Sequence, residues 1–141
     1  MIISAENMTA LASNASVALD LLEFGIRDES VRHGLSEGKE FCAFLELGAT
    51  ARKSEHFSAA GLEAGDYNSF VFSMPGGDDL QKRLPEIEKK LTALLHQLDC
   101  GEEPRPEIVD DLRSYFFTLA ERLPIYEGIR ERLMDDLRKS G

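Results

Sequence analysis

Six apolar residues in one stretch limit this chain's fold more than any other feature. Leu80, Leu84, Ile87, Leu91, Leu94 and Leu98 follow one another by steps of four, three, four, three and four. That spacing returns a side chain to the same side of an α-helix at every turn and is incompatible with the two-residue period of a strand. Gly76-Gly77 precedes the run, Asp78 or Asp79 is placed to cap it, and Gly101 is placed to close it. Pro85 lies inside the pattern and has no amide hydrogen to donate, so the helix is expected to start or kink there.

The same spacing recurs downstream. Ile108, Leu112, Tyr115 or Phe116, Leu119 and Leu123 predict a second helix, with Pro106 in its first turn. Pro124 is expected to end that helix and open a third, in which Ile125, Ile129, Leu133 and Leu137 recur every fourth residue. Charge pairs such as Glu86–Lys90 and Asp135–Lys139 suit the outer faces of these helices. Helices with short connections have to cover one another's apolar stripes, which is the logic of a bundle.

The N-terminal half is less regular. Met8, Leu11, Ala15, Ala18 or Leu19, and Leu22 predict a helix from about Ala5 to Phe24, closed by Gly25. Residues 36–53 fit a helix capped by Ser36, but Gly34, Gly38 and Gly48 weaken it. The run 41–47 reads equally as a strand, and residues 67–74, Tyr67 to Met74, form the most strand-like segment of the chain. The expected fold is therefore mainly α: one domain over 1–141, a helical bundle with three C-terminal amphipathic helices. The alternative is α+β, with a small hairpin pairing 41–47 with 67–74.

Composition narrows the partners. With 43% apolar and 30% charged residues, the chain can form a core and a solvated surface. Its net charge of −10, without any basic run, argues against nucleic acid. The acids alternate with Lys and Arg at helical spacing, as on a solvated helix face rather than a DNA mimic. No segment is long and apolar enough to span a bilayer, and the N-terminus lacks the pattern of an export signal. Cytoplasmic residence is the expectation, with Cys42 and Cys100 reduced and in the core rather than disulfide-bonded.

The chemical motifs are incomplete. No histidine (His33, His56 or His96) is preceded by Glu at three-residue spacing, as a di-iron bundle requires. His96 and Cys100 lie one helical turn apart, with Asp99 between them, but no close-spaced His/Cys pair completes a zinc set. Glu29 and His33 are spaced to pair on a helix surface. No Gly-x-Ser-x-Gly and no glycine-rich phosphate loop occurs. No cofactor, metal or catalytic residue is assigned. Tyr67, Phe70 and Phe72 remain, three aromatics that serve either as core or as an exposed partner-binding patch. The leading functional expectation is a non-catalytic interaction module (adaptor, chaperone-like or regulatory factor) that binds another protein or a second copy of itself. The alternative is a small metal- or ligand-dependent enzyme using His96 and helix-borne carboxylates.

Overall fold

A computed structural model describes residues 8–51, 68–69, 71–73 and 76–140, without the side chains of 48–51, 126, 127, 130, 134 and 140. Four long helices carry the fold: α1 (Met8–Glu23), α2 (Glu29–Ala51), α3 (Gly77–Asp99) and α4 (Pro106–Ser140). The mainly α expectation holds. The hairpin alternative does not: 41–47 lie inside α2, and residues 68, 69 and 71–73 are helical. Tyr67, Phe70 and Met74 lie outside the described residues.

The helices form a ring in which α1 packs on α2 and α4, and α3 packs on α2 and α4. Arg32 near the start of α2 reaches Asp99 and the Leu98 carbonyl at the end of α3. Arg113 near the start of α4 reaches Asp20 and Glu23 at the end of α1. Each helix is thus antiparallel to both neighbours, the up-down-up-down arrangement that short connections favour.

Local chemistry sets the helix ends. At the close of α1 the Gly25 amide donates to Leu22 O (2.9 Å) and the Ile26 amide to Leu21 O (3.0 Å), with Gly25 at φ 85°. The close of α3 repeats this geometry around Gly101, at φ 71°. Both are the paired glycine caps that satisfy a helix's last carbonyls. α2 begins earlier than expected. Its cap is Asp28 rather than Ser36, with the carboxylate accepting from the Ser30 and Val31 amides. α3 starts at Gly77 behind Gly76, with no side-chain cap, and Asp78 and Asp79 occupy its first turn, where the helix dipole favours negative charge.

Neither proline breaks its helix. Pro85 lies inside α3 and Pro124 inside α4, so the second and third expected C-terminal helices are one helix of 35 residues. Pro85 is exposed. Solvent can hydrate the Gln81 carbonyl that its missing amide leaves unbonded.

Two of the glycines that weaken α2 in the sequence, Gly34 and Gly38, are where it packs tightly against α1. A Cβ on Gly34 would lie 2.6 Å from the Ala18 Cβ and 2.7 Å from the Asn14 carbonyl oxygen. On Gly38 it would lie 3.0 Å from the Ala15 Cβ and 3.3 Å from the Phe116 ring. Gly34 and Gly38, one turn apart, therefore form a groove for the alanine face of α1.

One core runs through the ring. The six residues from Leu80 to Leu98 named above are all buried in it, as are Leu112, Tyr115, Phe116, Leu119 and Leu123 of α4. Phe41 of α2 meets Phe116 edge-on across the bundle (6.2 Å between centroids), and Tyr115 donates to the Leu80 carbonyl at 2.9 Å. Asn68 is fully buried and donates to the Leu45 carbonyl (2.7 Å), tying residues 68–69 to α2.

Candidate interaction surface

Helix lengths expose the main candidate. At 1.5 Å per residue, the 35 residues of α4 span about 52 Å, whereas the 16 residues of α1 span about 24 Å. The α1 end of this antiparallel pair is fixed by the Arg113 bridges. The described part of α1 therefore runs out about halfway along α4, and among the described side chains Leu123 is the last fully buried one of the longer helix.

The apolar pattern continues past that point. Leu133 follows Leu119 by two heptads, and Leu137 follows Leu123 by two heptads, so both hold the register of the core seam. Yet Leu133 is 52% and Leu137 67% exposed, and Ile125 on the flank is 62% exposed. Val17, Phe24, Ile26, Leu47 and Phe117 are exposed as well, and some exposed apolar side chains are ordinary on a protein surface.

Charge sets the distal segment apart. Residues 124–140 carry four acids (Glu127, Glu131, Asp135, Asp136) and four bases (Arg130, Arg132, Arg138, Lys139), which cancel. The chain's charge of −10 therefore resides elsewhere. Arg138 lies 3.6 Å from Asp135, the pairing found where Asp135–Lys139 was expected.

The other candidates fall as follows. Phe72 is 6% exposed and belongs to the core with Val71, while Tyr67 and Phe70 lie outside the described residues. Cys42 is buried, and burial pushes its thiol far above the ordinary range, so it is held as a neutral core group. Cys100 is exposed, contrary to the expectation of a core position, and its Sγ lies 3.7 Å from His96 Nε2. His33 pairs with Glu37 (2.9 Å) rather than with Glu29, which faces Arg32 instead. Glu86–Lys90 forms as expected, at 2.6 Å, and Lys90 also holds Asp111. Among the described residues, no three His, Cys, Asp or Glu side chains are grouped to hold a metal, and no helix is long and apolar enough to cross a membrane.

One cross-helix pair has no signal in the sequence. Glu46 of α2 and Glu88 of α3 share a hydrogen bond along an open cleft of about 440 Å³, which Pro85, Lys89 and Thr92 also line. Burial first, and then the hydrogen bond and charge of Glu88, push the Glu46 carboxyl up to about 7. The fold thus favours the protonated acid. Its stabilising effect is complete below the ordinary carboxyl pKa and is lost as pH rises through about 7. Glu46→Gln, which cannot ionise, is expected to be more stable than the native chain at pH 8, by on the order of 1 kcal/mol. The two should converge near pH 4 in urea titrations at both pH values.

No protein-family model, curated protein or solved structure matches this chain.

Proposed function

We propose that this protein is a non-catalytic interaction module of the cytoplasm that associates through the distal half of α4, with a second copy of the chain as the partner. The observation that carries this reading is the exposed pair Leu133 and Leu137, in register with the buried seam of the same helix. Leucines repeating at that spacing on a projecting helix form half of a helix–helix seam. An identical helix is a matched complement, because the segment is electrically neutral and two copies meet there without the repulsion of their acidic bundles. That acidity also opposes a nucleic-acid partner.

The test is amide hydrogen exchange followed by mass spectrometry over a range of protein concentrations, with EDTA present. Peptides covering 125–139 should gain protection as concentration rises, while those covering 109–123 stay unchanged because the bundle already protects them. Exchange in 125–139 that ignores concentration would refute self-pairing.

A further inference from the structure

At the opposite end of the bundle from distal α4, His96 and Cys100 stand together on the last turn of α3. They are both exposed, and the His96 Nε2 to Cys100 Sγ distance is 3.7 Å. A tetrahedral zinc ion with a Zn–S bond near 2.3 Å and a Zn–N bond near 2.05 Å sets its sulfur and nitrogen ligands about 3.6 Å apart. We propose that His96 and Cys100 form a two-ligand chelate for a zinc-class divalent cation, and that the same pair from a second chain completes a four-ligand site.

Three features support the chelate. The backbone that spaces the two residues is fixed: the Cys100 amide donates to His96 O (3.0 Å), the Gly101 amide to Leu98 O (3.2 Å) and the Glu102 amide to Gln97 O (2.9 Å). The backbone positions from which the two ligands project are therefore set before any metal arrives, which lowers the ordering cost of binding. Second, this is the carbonyl end of a helix, where the dipole favours a cation. Third, Arg32, a positive group at the same helix end, is engaged by Asp99 and the Leu98 carbonyl. As each Zn–S bond forms, the Cys100 thiol releases its proton to solvent, and His96 binds as the neutral imidazole. Among the described residues these two are the ligands at this end of α3, with no third His, Cys, Asp or Glu grouped beside them. The same pair from a second chain supplies the other two corners of the tetrahedron.

The test is titration of the reduced full chain with Co²⁺, followed by visible absorption and then displacement by Zn²⁺. The expected result is the intense spectrum of a tetrahedral cobalt–thiolate centre, saturating at one metal per two chains. Cys100→Ser and His96→Ala should each abolish it, and His33→Ala should leave it unchanged. Circular dichroism on the variants checks that the helices persist; both positions are exposed, so folding should be unaffected. A weak octahedral spectrum, saturation at one metal per chain, or an unchanged spectrum in either variant would overturn the proposal. A Cys100–Cys100 disulfide dimer that forms without metal, together with no cobalt spectrum in the reduced chain, would overturn it as well.

Discussion

Phe116→Ala should remove about 3–5 kcal/mol of stability, the usual cost of emptying a fully buried aromatic site. Phe116 has no solvent exposure, and beside Gly38 of α2 its ring lies close to Ala15 of α1 and Leu91 of α3. Its ring meets Phe41 of α2 edge-on and stands 5.5 Å from Tyr115 at an interplanar angle of 81°. It also closes the space beside Gly38. Helices α2 and α4 are diagonal in the ring, so removing this ring leaves a void at the centre that no neighbouring backbone can readily fill. Against a total of about 5–15 kcal/mol, the loss is large. In urea the midpoint should fall by roughly 2 M, given an m-value of about 2 kcal/mol/M. Phe117→Ala is the control. That side chain is 57% exposed, so its loss should change stability by no more than about 0.5 kcal/mol.

Gly34→Val should cost about 3 kcal/mol, even though glycine is a poor helix former. Helix propensity alone gives the opposite sign, so the outcome separates local preference from tertiary packing. The Cβ of any larger residue at position 34 meets the Ala18 Cβ and the Asn14 backbone oxygen inside normal contact distance. Backbone cannot rotate aside as a side chain can, so α1 and α2 have to separate, and the seam between them loosens over several turns. A melting temperature lower by roughly 10 °C is expected for a chain of this size. Gly38→Ala should be milder, because its nearest neighbours lie at 3.0 and 3.3 Å and one of them is a ring that can tilt. A Gly34→Val protein as stable as the native chain would mean that the two helices do not cross this closely.

These two sites also show which features were legible in the sequence. The face from Leu80 to Leu98 is readable because burial in a helix imposes a period that one stretch displays completely. The same holds for Leu112 to Leu123. Helix closure at Gly25 and Gly101 is readable because the cap needs a left-handed residue, which glycine supplies without strain. The meaning of Gly34 was hidden. A glycine in a helix looks like weakness until the matching alanines of α1 are placed against it, and that pairing is long-range. Residues 41–47 were ambiguous because 41–45 are apolar without a gap, and so short an unbroken run has no readable period. Pro124 misled because the cost of a helical proline depends on what surrounds the freed carbonyl. Sequence also cannot show that Ile125, Leu133 and Leu137 are left exposed by the described helices, or that Glu46 and Glu88 meet. Both depend on where other helices end and cross.

Self-association through distal α4 is tested most directly by sedimentation equilibrium on the native chain and on a Leu133→Glu, Leu137→Glu variant. Both samples should be reduced and contain EDTA, so that neither a disulfide nor a metal contributes. Both leucines are exposed in the single chain, so the variant should keep its helical circular dichroism and its melting temperature. The expected result is a concentration-dependent dimer for the native chain and a monomer for the variant, with two charges per helix placed in the seam. A native chain that stays monomeric at every concentration, or a variant that dimerises as well as the native chain, would contradict the assignment of this surface.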